Sequence, residues 1–194
     1  MEGYNYEDPI RFMAFHDMLT KLPNRNIFND RLTMALNHAK REGFLVAVMY
    51  LDLDGFKPIN DSYGHEVGDM LLKEVANRLT RCLRKEDTVA RIGGDEFTIL
   101  VPKADSSEHI LIVARKILKV VQKPVEVKDL KLQVTTSIGI AIYPQHGSSA
   151  EILLKRADIA LYRAKEQGKN NIQFYTNAQL EKRLAKKIRR RWQK

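Results

Sequence analysis

The sequence predicts a single α/β domain with a basic helix appended at its C-terminus, and three features carry that prediction. An unbroken apolar run from Phe44 to Leu51 reads as a buried strand. Val67, Met70, Leu71, Val75, Leu79 and Cys82 recur at helical spacing over residues 65–84. Two short apolar segments, Thr88–Ile92 and Phe97–Val101, are separated by only Gly93-Gly94-Asp95-Glu96, a hairpin signal. The length of 194 residues suits one domain with an appendage and is ample for a core.

In chain order, residues 1–8 show no periodicity and read as a lead-in. A helix is expected over Pro9–Leu19, proline being suited to a first helical turn. Leu22-Pro23-Asn24 breaks it, and Asn24 caps a second helix that runs to about Arg41 and stops at Gly43. The strand Phe44–Leu53 leads to a turn at Asp54-Gly55, then the helix over 65–84 and the hairpin. A helix over Ser107–Val121 follows, with strands at Val125–Val127 and Leu132–Ile142 after Pro124. Pro144 to Ser149 is a loop, Ala150–Gln167 an amphipathic helix ended by Gly168, and Ile172–Tyr175 a last short strand. Residues 177–192 read as a helix with Leu180, Leu184, Ile188 and Trp192 spaced by four.

Composition narrows the function. Apolar residues make up 44% and charged residues 29%, values of a globular rather than a disordered chain. The net charge of +9 suggests nucleic acid until it is located: residues 181–194 carry +7 of it and the remaining body only +2. The body therefore offers no specific nucleic-acid surface. The tail, with lysines and arginines around an apolar stripe, reads as a connector helix, with contact to anionic lipid the less favoured alternative. The longest apolar run is too short to span a bilayer, no leader of secretory type opens the chain, and the lone Cys82 cannot form an internal disulfide. A cytoplasmic location is the expectation.

The chemistry is expected at two acidic clusters, each where a strand ends. Asp52 and Asp54 close the first strand, and alternation places both on one face. Asp95 and Glu96 occupy the hairpin turn behind two glycines, which remove Cβ atoms where a ligand or backbone must approach. Like charges gathered this way raise one another's pKa unless a cation neutralises them. A hard divalent cation such as Mg²⁺ is held by one or two carboxylates together with substrate phosphates. Taken singly, Asp54 and Glu96 read as solvated loop acids.

Longer segments carry a resemblance. Residues 16–25 read HDMLTKLPNR, 52–69 DLDGFKPINDSYGHEVGD, 91–97 RIGGDEF, 137–144 SIGIAIYP and 157–170 ADIALYRAKEQGKN. In that order and spacing they resemble the GGDEF family of diguanylate cyclases over roughly residues 14–176. The boundaries that follow are a lead-in and helix over 1–13, the domain over 14–176, and a basic helix or linker over 177–194. The resemblance implies a fold like the palm of nucleotidyl cyclases and polymerases, a central, mostly antiparallel sheet surrounded by helices. It implies condensation of two GTP into cyclic di-GMP with release of pyrophosphate, by a homodimer because one domain holds one GTP. The alternative is a silent module that binds GTP or cyclic di-GMP.

The same resemblance implies roles residue by residue. Asp52, the Leu53 carbonyl and Asp95 match the ligands of Mg²⁺, with Mn²⁺ as a substitute. Asp95 and Glu96 are the catalytic acids of the signature. Asn60 and Asp69 match the residues that read guanine, whose N1–H and 2-amino group a carboxylate can accept. His65 matches a substrate-contacting position. Gly93 and Gly94 line the substrate, and Lys57, Lys165 and Lys169 match contacts to the triphosphate. Lys169 replaces a common arginine and loses its bidentate fork. Phe56 and Phe97 are expected to pack beside the site. Arg84 and Asp87, an Arg-x-x-Asp at the family's spacing, match an inhibitory product site, with Arg115 as a further member.

Overall fold

The computed structural model describes residues 8–176. Its elements in order are helix α1 (Asp8–Phe15), α2 (Arg25–Glu42), strand β1 (Leu45–Asp54), α3 (Phe56–Tyr63), α4 (His65–Cys82), β2 (Thr88–Gly93), β3 (Glu96–Ala104), α5 (Ser107–Val121), β4 (Val125–Val127), β5 (Leu130–Leu132), β6 (Thr135–Tyr143), α6 (Ala150–Glu166) and β7 (Ile172–Phe174). The basic helix expected over 177–192 and most of the lead-in lie outside the described residues.

Five strands form one sheet in the order β2-β3-β1-β6-β7; every pair is antiparallel except β6–β7. The mostly antiparallel sheet with helices around it is the expected architecture. Strand β1 lies at its centre, and period-two alternation divides the core. Ala47, Met49, Leu51 and Leu53 face the helices α4 and α5, among Leu71, Val75, Ile110 and Ile117. Val46, Val48 and Tyr50 face the other side, where Phe28 and Leu32 of α2 and Leu153 and Ala157 of α6 cover them. Asp52 and Asp54 continue this second face, as the alternation predicts.

Three boundaries differ from the sequence reading. Helix α1 ends at Phe15, four residues early, because His16 bridges to Pro23 and the Asp17 side chain captures Thr20. Helix α3 fills residues between the Asp54-Gly55 turn and residue 65 to which the sequence pattern assigns no element. It has a single buried residue, Phe56, and so no stripe to betray it, and its Pro58 stands in the first turn, where a missing N–H costs nothing. The strand expected over Leu132–Ile142 is two strands: β5 turns back on β4 as a separate hairpin, and β6 begins at Thr135.

Helix α6 lies with its backbone against β6. A Cβ built on Gly139 would stand 2.0 Å from the Leu161 nitrogen and 2.1 Å from the Ala157 carbonyl oxygen. Both are helix backbone, which cannot swing aside. Gly139→Ala should therefore force the helix off the sheet and lower the unfolding free energy by roughly 3 kcal/mol, read from urea denaturation. An unchanged midpoint would show that α6 does not sit this close.

Candidate active site

The acidic strand ends converge. Asp52 is the register partner of Glu96 on β3 and of Ser137 on β6, and the Leu53 N–H donates to the Asp95 carbonyl at 3.2 Å. The hairpin turn thus sits against the last residues of β1. The buried Asp52 carboxylate is met by Lys165 Nζ from the last turn of α6, at 2.6 Å. A buried carboxylate needs such a partner, because desolvation would otherwise drive it towards protonation. Asp54 is no solvated loop acid: Ser137 Oγ and Thr135 Oγ1 each donate to it at 2.8 Å, and the Asn170 N–H at 3.1 Å.

Backbone geometry explains the two glycines. Gly94 has φ +53° and Gly93 φ +151°, conformations that side-chain-bearing residues rarely adopt. A Cβ at either would meet nothing within 4 Å, so no protein atom requires their bareness. The space over the turn is open.

Arg91, to which the sequence reading gave no role, clamps that turn. Its Nε and Nη2 donate to the Gly94 carbonyl at 3.0 and 2.7 Å, and its Nη1 to both carboxylate oxygens of Asp17 at 2.9 and 3.1 Å. Asp17 also accepts from the backbone and hydroxyl of Thr20. Burial pushes the Asp17 carboxyl up, but the hydrogen bonds from Thr20 and Arg91, with the Arg91 charge, outweigh it and hold the pKa below the ordinary value. Both residues stand inside the segments that carry the family resemblance, but their pairing spans 74 positions and no local pattern announces it.

Where α3 packs on α4, Asn60 lies against Gly68, the residue before Asp69. A Cβ on Gly68 would lie 1.8 Å from Asn60 Oδ1, so the bare glycine makes room for the Asn60 side chain against α4. Asn60 Oδ1 is buried against α4 with no hydrogen-bond partner. Asp69 follows on α4 and is exposed, as are Lys57 on α3 and His65 at the start of α4. Phe56 and Phe97 are buried. Lys169 stands just past α6 in a left-handed conformation.

Arg84 and Asp87 form a closed turn apart from these residues. The Arg84 N–H donates to Asp87 Oδ2 at 3.0 Å, and the Asp87 N–H to the Arg84 carbonyl at 3.1 Å. Burial, with Glu86 adding to it, raises the Asp87 carboxyl above its usual pKa despite the Arg84 bond. A groove of about 850 Å³ opens beside Arg84, lined also by Arg31, His38, Phe44 and Lys103. Arg115 does not line it; it is exposed on α5.

Among the described residues no three His, Cys, Asp or Glu side chains form a metal-holding group. The residues expected to hold a cation, Asp52 and Asp95 with the Leu53 carbonyl, offer oxygen donors only. That all-oxygen set suits Mg²⁺, which leaves most of its positions to water and phosphate oxygens. Among the described residues no helix is long and apolar enough to cross a membrane.

Residues 14–171 match the sequence profile of the diguanylate cyclase GGDEF domain. The bifunctional diguanylate cyclase/cyclic di-GMP phosphodiesterase MucR of Pseudomonas aeruginosa is 43% identical over 166 residues, covering 86% of this chain and 24% of MucR. The crystallised GGDEF domain of TpbB from the same organism superposes with a TM-score of 0.83 at 38% identity, covering 88% of this chain and 99% of that one. The coiled-coil and GGDEF portion of DgcB from Caulobacter crescentus, solved in complex with c-di-GMP, gives 0.77 at 29% identity, covering 87% and 90%. The chain spans about a quarter of the length of MucR.

The Asp17–Arg91 clamp makes a pH-dependent prediction. A carboxyl held below its unfolded value of about 3.9 stabilises the fold fully above that pH and loses its contribution as pH falls through the folded value. Asp17→Asn should cost on the order of 1–2 kcal/mol at neutral pH, with the gap to wild type narrowing below about pH 4 in urea titrations. A gap that widens in acid would mean the carboxylate is not the stabilising form.

Proposed function

The chain belongs to the GGDEF family of diguanylate cyclase domains, and we propose that it condenses two GTP molecules into cyclic di-GMP, releasing two pyrophosphates. The observation that supports this most directly is the meeting of Asp52, Asp95 and Glu96 at one end of the sheet, with Lys165 beside them. In this reading Asn60 and Asp69 grip guanine, their acceptors matched to its N–H donors. Lys57, Lys165 and Lys169 neutralise the triphosphate, and His65, Gly93 and Gly94 border it. Bound at Asp52, the Leu53 carbonyl and Asp95, Mg²⁺ or Mn²⁺ would supply positive charge to the triphosphate. Asp95 receives the proton of the attacking 3′-hydroxyl, and Glu96 stands next to it to share that work.

Each 3′-hydroxyl must reach the α-phosphate of the other GTP, and the product is symmetric. Two half-sites facing each other across a twofold axis meet that requirement, so the active species is a homodimer. Arg84 and Asp87, with Arg115 in support, hold the product as an inhibitor: arginine takes phosphate or the guanine face, and the carboxylate takes the guanine edge. Substrate and product both belong to the cytoplasm. The catalytic unit is residues 14–176, with 1–13 and 177–194 as connecting segments. No specific nucleic-acid partner enters this reading, and the tail is assigned no membrane role.

With GTP and Mg²⁺, cyclic di-GMP should form at a rate rising more steeply than linearly with protein concentration, followed by chromatography. Asp95→Ala should cut turnover by roughly 10³-fold or more while GTP still binds. Equal turnover in the variant would defeat the assignment, and no turnover from an artificially dimerised wild type would favour the silent binding module. Arg84→Ala should leave the initial rate within about twofold and raise the product concentration needed for half-inhibition at least roughly tenfold. Persistent inhibition would put the product site elsewhere.

A further inference from the structure

Three consecutive residues after α6 share a conformation that the chain avoids. Gly168, Lys169 and Asn170 have φ of +102°, +63° and +46°, and two of the three carry side chains. Left-handed residues other than glycine are unfavourable, so a run of them persists only when its surroundings hold it. The holding bonds are identifiable. The Lys169 N–H donates to the Ala164 carbonyl at 3.1 Å, and Asn171 Nδ2 to the carbonyls of Ala164 and Lys169 at 2.7 and 2.9 Å. These tie the turn to its own helix. Two bonds tie it to the sheet: Ile138 N–H to the Asn171 carbonyl at 3.0 Å, and Asn170 N–H to Asp54 Oδ2 at 3.1 Å.

Asp54 is itself held. Thr135 Oγ1 donates to Oδ2 and Ser137 Oγ to Oδ1, each at 2.8 Å, so both oxygens are aimed by hydroxyls from β6. With three protein donors on its two oxygens, this carboxylate is committed differently from Asp52, two residues back on the same face. Asp52 takes the Lys165 ammonium from the helix that leads into the same turn. The end of β1 therefore fixes both basic residues, Lys165 directly and the turn carrying Lys169 through Asp54.

We propose that Asp54 is a positioning residue: it fixes the Gly168–Asn170 turn beside Asp52, so that the turn carrying Lys169 forms the phosphate-binding edge of the site. Its ligand is a polyphosphate, and the proposal rests on the GTP reading above for the contact of Lys169 with phosphate. The variant Asp54→Ala removes the acceptor for Asn170 and frees the turn.

The test measures binding of Mg²⁺–tripolyphosphate and of GTP in parallel by calorimetry, for wild type, Asp54→Ala, Lys169→Ala and the double variant. Each single change should weaken tripolyphosphate about tenfold, and the double variant should be within about twofold of the weaker single, because the two act through one turn. Losses that multiply independently in the double variant would mean that the two residues do not act through one turn, and that result overturns the proposal. Unchanged tripolyphosphate binding in Asp54→Ala overturns it as well. If Asp54→Ala does not fold, Thr135→Val, which removes one aiming hydroxyl, should weaken binding in the same direction, and only when Lys169 is present. Tripolyphosphate binding that depends on Asp54, without any preference for GTP over ATP, would sustain this proposal and defeat the guanine reading. Tight, selective GTP binding indifferent to Asp54 would do the reverse.

Discussion

The site depends on a buried negative charge at the end of the central strand. Asp52 stands two residues before the end of a strand whose preceding residues are almost wholly buried and apolar, and it lies 8% exposed against the α6 side of the sheet. A carboxylate there is tolerable only with a cation in contact, and Lys165 supplies one at 2.6 Å. That contact demands that α6 lie close along β6, which the bare Gly139 permits. Packing and electrostatics are thus one requirement: a helix held off the sheet would take its lysine out of reach of the acid.

Around this charge, each loop is secured by a bond between its backbone and a charged side chain. Arg91 holds the Gly94 carbonyl, and Asp17 holds Arg91. Asp54 holds the Asn170 N–H, and two hydroxyls hold Asp54. Glycine-rich and left-handed backbone has few side chains to pack, so apolar burial cannot fix it. Directional bonds from residues on rigid strands can, and they leave the turn surfaces open to a ligand.

Much of this was legible in the sequence, for reasons that differ by element. β1 and α4 show because burial imposes long apolar patterns, and the acidic strand ends show because carboxylates interrupt such a pattern. Helix α3 did not show, since one buried phenylalanine in eight residues leaves no periodicity. The β5–β6 division was hidden because Val134 is buried and the apolar pattern runs on across the break. Arg91 with Asp17, and Asp54 with Asn170, were hidden for a deeper reason: each joins residues 74 or 116 positions apart, and residue type alone does not say which charge meets which. Asp54 reads as a solvated acid until Thr135 and Ser137 are brought opposite it across the sheet.

The position of the Arg84–Asp87 turn constrains how inhibition can operate in the proposed enzyme. The turn opens β2, whose far end is Gly93 of the hairpin, so six strand residues separate the two. At about 3.3 Å per residue that is roughly 20 Å, too far for a ligand at one end to exclude a nucleotide from the other. β2 pairs with β3 alone, at the sheet's edge, and its last residues are clamped by Arg91. A strand so held offers little room to transmit a large displacement. Product bound at Arg84 is therefore better placed to act on what surrounds the domain than on its interior. Inhibition of that kind would hold two half-sites out of register while leaving each able to bind GTP.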